Sequence, residues 1–187
     1  KTGVVQAVGE GNTSIVAKVK GIKIFARIFV TKKYVQDSGH EYTRGEWVKL
    51  LLDKVGCKYE EQFDSKNYYY ADTRENENGI AAEIAKTMGI IPDETDEQDV
   101  PYFYPDEYAT REFAAYTAVM LMGYETTDEE PTCADAAQIR YKNVVAIALK
   151  KNMLSLNGDT FEPEKAINGN DASQILKAID QITEDSV

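Results

Sequence analysis

The chain has 187 residues, 43% of them hydrophobic and 10% aromatic, which is enough to bury a core. Its 32 acidic and 21 basic side chains give a net charge of −11. This balance argues against nucleic-acid binding, which depends on cationic contacts to phosphate. No apolar run approaches the roughly 20 residues that a membrane-spanning helix needs, so no membrane span is predicted.

Residues 3–30 alternate β-branched and polar side chains, a pattern typical of strands, with a break at Gly21. The pattern predicts a small β-hairpin or three-stranded segment within residues 1–38. Because two or three strands alone are only marginally stable, this segment should pack on something else. We expect Phe25 and Phe29, which share one strand face, to be buried against the helical part or a second chain.

From residue 40 the pattern becomes helical. Helices are predicted to begin after Thr43, Thr110 and Asn168, all residue types that cap helix N-termini. Two further helices are predicted within residues 79–89 and 141–153. The predicted fold class is therefore α+β, mainly α.

The first helix carries two signals at its start. Thr43 and Glu46 have the spacing of a capping box, in which each side chain accepts from the backbone N–H of the other residue. That box does not require Arg44, which is either a solvated side chain or part of a binding site. Trp47 lies on the apolar stripe of this helix, which favours core packing over sugar stacking.

The helical part contains an internal repeat. Asp72 and Asp135 are 63 residues apart, and Pro105 and Pro163 are 58 apart. In both copies a helix cap follows the proline by five residues, so order and spacing recur together. The helical region, 39–187, divides into a partial repeat at 39–66 and two repeats at 67–128 and 129–187.

This order resembles the S-layer homology (SLH) domain: an aspartate, a short helix, a Gly-Ile step, a loop ending in Phe-x-Pro, then Thr-Arg-x-Glu opening a second helix. The stretches "YTRGEW" and "TFEPEKAI" carry the likeness, which covers roughly residues 40–182. The resemblance implies a pseudo-threefold helical bundle that binds secondary cell-wall polysaccharide. It also implies an extracellular location, at the bacterial cell wall or S-layer, where the module would anchor a surface protein without a covalent bond.

The resemblance also implies the binding residues. In the family, the arginine of the Thr-Arg-x-Glu motif lines a groove between repeats and pairs with an acidic sugar. A guanidinium matches a carboxylate in bidentate geometry, and a helix start adds N–H groups that the helix leaves unpaired. The candidate polysaccharide-binding residues are Thr43, Arg44, Glu46, Thr110, Arg111, Glu112 and Tyr141.

The repeats depart from the family pattern in three places. Gly169 stands where the third repeat should carry its arginine, although Asn168 and Asp171 keep a capping pair. In "TREF" the glutamate, Glu112, comes one residue early. The first repeat lacks its leading helix, so at most two grooves keep an arginine.

Other interpretations of the same residues remain open. Tyr68, Tyr69 and Tyr70 form either a carbohydrate platform or a packed rim. The acidic run "DETDEQD", residues 93–99, lacks EF-hand spacing and is expected to be a solvated loop. With one histidine and no catalytic motif, the sequence predicts no enzyme, and no cofactor or metal. The alternative function is a degenerate SLH module for protein–protein assembly, whose N-terminal strands pair with another surface-protein chain.

Overall fold

The computed structural model describes residues 11–19, 22–30, 38–58, 63, 67–92 and 99–184, with backbone alone for 11–19, 22–30 and 182–184. The chain divides into two compact units, Lys1–Val35 and Gln36–Val187. In the first unit, strand β1 (Gly11–Val19) pairs antiparallel with strand β2 (Ile22–Val30). The predicted burial of Phe25 and Phe29 concerns side chains that lie outside the described part.

The second unit is mainly helical, which confirms the predicted fold class at that level. No helix in the described residues is long and apolar enough to cross a bilayer. A short 3-10 turn, Ala136–Gln138, precedes the fourth helix. The helices are α1 (Arg44–Lys54), α2 (Gly79–Thr87), α3 (Arg111–Leu121), α4 (Lys142–Lys150) and α5 (Gly169–Glu184).

Three backbone hydrogen bonds join the starts of α1, α3 and α5. The N–H of Tyr42 donates to the carbonyl of Ile167 (3.2 Å), that of Ile167 to Ala109 (2.9 Å), and that of Ala109 to Tyr42 (2.9 Å). Each of the three residues lies two positions before the first residue of its helix. The bonds form a closed ring, so the three helix starts meet at one place.

An aspartate clamps the Phe-x-Pro loop in the 67–128 repeat. The carboxylate of Asp72 accepts from the N–H groups of Phe103 (2.9 Å) and Tyr104 (2.7 Å). Tyr104 has a φ of 57°, a left-handed conformation that costs a non-glycine residue about 1 kcal/mol. Both oxygens of Asp72 thus hold the loop in a strained turn.

The 129–187 repeat contains the same clamp. Asp135 accepts from the N–H groups of Phe161 (2.8 Å) and Glu162 (2.7 Å), and Glu162 has a φ of 58°. Burial pushes the pKa of Asp135 upward, but the backbone N–H groups and the Cys133 thiol outweigh it, so the pKa lies below its ordinary value. Its ionised form is therefore the one that fits the loop.

The core of the helical unit forms where α1 packs against α2 and α3, and where α3 packs against α4. Trp47 is fully buried, and its indole N–H donates to the hydroxyl of Thr117 at 2.9 Å. This confirms core packing for Trp47 and excludes sugar stacking, because no part of the ring reaches solvent. The hydrogen bond also fixes how α1 sits against α3.

The second residue of the helix differs in size and burial among the three helix starts. Gly45 on α1 is buried so tightly that a Cβ there would lie 2.9 Å from the Cβ of Asn78 and 3.1 Å from the carbonyl oxygen of Pro105. Glu112 is the matching residue of α3 and is also buried, whereas Asn170 of α5 is exposed. The start of α5 therefore presents a polar residue to solvent where α1 and α3 carry a packed one.

Candidate functional site

The two predicted arginines lie in different surroundings, which we name by their residues. The Arg44 junction comprises Arg44 and the rings of Phe103 and Phe113. The Arg111 junction comprises Arg111 with Ser155, Phe161 and Asp171. The two predicted arginines therefore lie in two separate junctions, in line with the prediction of at most two grooves that keep an arginine.

Arg44 is a buried side chain with 9% of its surface exposed. Its guanidinium carbon lies 5.2 Å from the centre of the Phe103 ring and 4.1 Å from that of Phe113. Both distances are within the range of cation–π attraction. The interpretation of Arg44 as a solvated side chain after a helix cap is therefore wrong, because its head group lies on aromatic faces.

Arg111 is only 5% exposed, and its guanidinium is held inside the protein. Its Nε donates to the carbonyl of Phe161 (2.8 Å) and one terminal nitrogen donates to the carbonyl of Ser155 (2.5 Å). The other terminal nitrogen forms an ion pair with the carboxylate of Asp171. In this arrangement the fork that would match a sugar carboxylate is already used by the chain itself.

The backbone N–H groups at these helix starts are also satisfied. The N–H of Arg44 donates to Glu107 O (2.7 Å) and that of Gly45 to Pro105 O (2.9 Å). In α3 the N–H of Arg111 donates to Lys165 O (2.8 Å), and that of Glu112 to Pro163 O (3.1 Å). The expectation that unpaired N–H groups would receive an anion is therefore wrong, because the Phe-x-Pro loops provide carbonyl partners.

Thr43 and Glu46 form the predicted capping box. The hydroxyl of Thr43 accepts from the N–H of Glu46 (3.2 Å), and Glu46 Oε2 accepts from the N–H of Thr43 (2.9 Å). The Nε2 of His40 lies 3.5 Å from the same Oε2. Both predicted residues thus act at the cap of α1.

The start of α3 is capped by Thr110 and connected to α4 through Glu112 and Tyr141. Thr110 caps α3 by accepting from the N–H of Phe113 (3.1 Å), and Glu112 Oε1 accepts from the N–H of Tyr141 (2.5 Å). Burial raises the pKa of Glu112, and the N–H groups of Tyr141 and Arg140 offset this only in part. Glu112 thus caps the following helix instead of its own.

Asp171 has a different role from the one predicted. The side chain of Asn168 accepts from the N–H of Asp171 (3.1 Å), as expected of a cap. The carboxylate of Asp171 pairs with Arg111, which makes it part of a junction between repeats. The repeat spacing could have revealed this residue, because Asp171 and Phe113 are 58 positions apart, like the two loop prolines.

The tyrosines of residues 68–70 do not form an open platform. Tyr70 is buried, and the Tyr69 ring lies 4.7 Å from the Nζ of Lys86. The ring of Tyr68 lies 4.9 Å from the guanidinium carbon of Arg74. The burial of Tyr70 agrees with the packed-rim interpretation, whereas Tyr69 remains 49% exposed with one cation over its ring.

The described residues contain no group of three or more histidine, cysteine, aspartate or glutamate side chains that could hold a metal ion. Residues 93–98 of the acidic run lie outside the described part. No protein-family model matches the chain. A search of curated proteins finds no match either.

Proposed function

We propose that the chain is an SLH-like module whose two and a half repeats form a pseudo-threefold bundle. The closed ring of hydrogen bonds among Tyr42, Ala109 and Ile167 supports this, because each of the three residues donates to one neighbour in the ring and accepts from the other. The matching clamps of Asp72 and Asp135 support it as well. In this proposal the module retains a bacterial surface protein, outside the cell, on secondary wall polysaccharide.

The Arg44 junction is the proposed binding groove. The observation that carries this choice is the difference at one matched position: Phe113 contacts Arg44 where Asp171 contacts Arg111. The carboxylate of Asp171 and two carbonyls already occupy the guanidinium fork of Arg111, so a sugar carboxylate would have to displace them there. We therefore place the proposed groove at the Arg44 junction rather than at the Arg111 junction.

Sedimentation with purified cell walls, at low and moderate salt, tests the proposal. Replacing Arg44 by Gln should weaken wall binding about tenfold or more, because a charge-assisted pair is lost. Arg44→Lys should recover only part of the binding, since an ammonium cannot reproduce the planar fork. Arg111→Gln is the matched control and should change binding little.

Two further measurements complete this test. Walls stripped of their secondary polysaccharide should no longer sediment the wild-type chain. Thermal unfolding of each variant shows whether a loss of binding is a loss of fold. A folded Arg44→Gln variant that sediments like wild type would show that the groove is wrongly placed.

A second candidate is an assembly module, in which the degenerate repeats have lost sugar binding. The internal pairing of Arg111 with Asp171, together with Gly169 at the third position, favours this candidate. The strands β1 and β2 would then pair with another chain by strand addition. Analytical ultracentrifugation distinguishes the two candidates: concentration-dependent self-association without wall binding supports assembly.

A further inference from the structure

The sequence contains three Asn–Gly pairs, and the structure places them in different surroundings. They are Asn78–Gly79, Asn157–Gly158 and Asn168–Gly169. An asparagine side chain that precedes glycine is open to attack by the next backbone nitrogen, because glycine has no Cβ to obstruct the approach. In a folded chain the rate of this attack depends on how often each pair is released from its local structure.

Two of the pairs are packed into helix starts. Gly79 is buried, and its N–H donates to the carbonyl of Asn76 at 3.0 Å. Gly169 is also buried, and the side-chain oxygen of Asn168 accepts from the N–H of Asp171 at 3.1 Å. Attack at either pair therefore requires the first turn of a helix to open.

The Asn157–Gly158 pair lies in an exposed turn. Asn157 and Thr160 exchange backbone hydrogen bonds of 2.8 and 3.2 Å, and the hydroxyl of Thr160 donates to the carbonyl of Asn157 at 3.0 Å. Gly158, at the tip of the turn, is exposed, and its N–H donates to none of the described residues. A surface turn of this kind opens at a lower cost than a helix start that is packed in the core.

The side chain of Asn157 contacts the neighbouring loop. Its amide nitrogen donates to both carboxylate oxygens of Glu162, each at 3.3 Å. The Nζ of Lys165 donates to the same carboxylate at 2.7 Å. The hydrogen bond from Lys165, and to a lesser extent that from Asn157, lowers the pKa of Glu162 from its ordinary value. The ionised Glu162 is thus held by two donors.

We propose that Asn157 is a site of spontaneous deamidation in the folded protein. The backbone nitrogen of Gly158 gives its proton to water or hydroxide and forms a bond to the side-chain carbonyl carbon of Asn157. The bond from that carbon to the amide nitrogen breaks, and the nitrogen takes a proton from solvent and leaves as ammonia. Water then opens the resulting cyclic imide at either carbonyl, which gives aspartate or isoaspartate without oxidation or reduction.

The product would weaken the loop that Asn157 now supports. A carboxylate replaces the amide donor, so Glu162 loses a hydrogen bond and faces a like charge. The same loop provides the carbonyls of Ser155 and Phe161 that bind Arg111. Deamidation should therefore loosen the Arg111 junction as the protein ages.

Incubation of the full folded chain in heavy-oxygen water at mildly alkaline pH, followed by peptide mass spectrometry, tests the site. The Asn157 peptide should take up heavy oxygen about tenfold or more faster than the Asn78 and Asn168 peptides, because a helix start opens less often. Asn157→Gln is the control and should stay unmodified at this position, since its longer side chain would have to close a larger ring.

The same incubation in urea separates the fold from the local sequence. With the chain unfolded, the three pairs should react at similar rates. If the Asn157 peptide of the folded chain reacts no faster than the other two, the proposal is wrong. If the rates differ as much in urea as in the folded chain, the exposed turn is not the cause and the structural argument fails.

The effect on the loop is tested with Asn157→Asp, which reproduces one product. It should lower the midpoint of thermal unfolding by about 2–4 °C relative to wild type. In a Glu162→Gln background, where the like charge is absent, the same substitution should change the midpoint by less than about 1 °C. An unchanged midpoint, or an equal loss in both backgrounds, would refute the coupling to Glu162. None of these measurements involves wall binding, so the inference is tested separately from the proposed function.

Discussion

Removal of Arg111 should strongly destabilise the protein. Arg111 is buried, and its guanidinium bonds to Asp171 and to the carbonyls of Phe161 and Ser155. Replacing it by Ala strands a largely buried carboxylate and two carbonyls, which should cost about 3–4 kcal/mol of unfolding free energy.

A double-mutant cycle of Arg111 and Asp171, measured by urea unfolding, checks this value. Asp171→Ala alone should cost about 2–3 kcal/mol, because Arg111 keeps its two carbonyl partners. The double variant should cost little more than Arg111→Ala, which gives a coupling energy of about 2 kcal/mol. This coupling energy should change little with salt concentration, because the Arg111–Asp171 pair is largely buried from solvent. Additive effects, or a loss below about 1 kcal/mol for Arg111→Ala, would refute the ion pair as a joint between repeats.

Three other substitutions test the frame around these junctions. Gly79→Ala should cost about 3 kcal/mol or more in urea unfolding, because its Cβ would lie 1.8 Å from the carbonyl oxygen of Thr73; a loss under about 1 kcal/mol would contradict this. Trp47→Phe should cost about 1–3 kcal/mol in the same assay, since it leaves a void and removes the bond to Thr117. Asp135, with its lowered pKa, should contribute stability above its ordinary pKa that is lost as pH falls through the lower, folded value. The gap in unfolding free energy between wild type and Asp135→Asn should therefore narrow in acid; a gap that is constant with pH would argue against the carboxylate clamp.

The helical part of the fold could be predicted because its signals are local. The Thr43–Glu46 box and the Thr110 cap depend on residues three positions apart, and the structure confirms both. Periodic apolar stripes likewise identified the helices, and Trp47 was correctly assigned to the core. Such patterns carry most of the information needed to locate elements along a chain.

The contacts between repeats were less accessible to sequence reasoning. The partners of the first N–H groups of α1 are the carbonyls of Pro105 and Glu107. Carbonyl oxygens are present at every residue, so no residue type marks them in advance. The surroundings of the two arginines could not be predicted for a related reason. A motif identifies Arg44 and Arg111, but it does not identify the residue that each contacts across the junction.

Functional residues are best sought at positions that match between the repeats, have the same backbone conformation and carry different side chains. Positions 104 and 162 have the same left-handed conformation and the same aspartate clamp, yet one is a tyrosine and the other a glutamate. Phe113 and Asp171 follow their helix caps by three residues, yet one gives its arginine an aromatic face and the other a carboxylate. The backbone conformation is the same at positions 104 and 162, so it does not decide between the two side chains there. The second difference places an aromatic residue beside the start of α1, and that is why the proposed polysaccharide groove is assigned to the Arg44 junction.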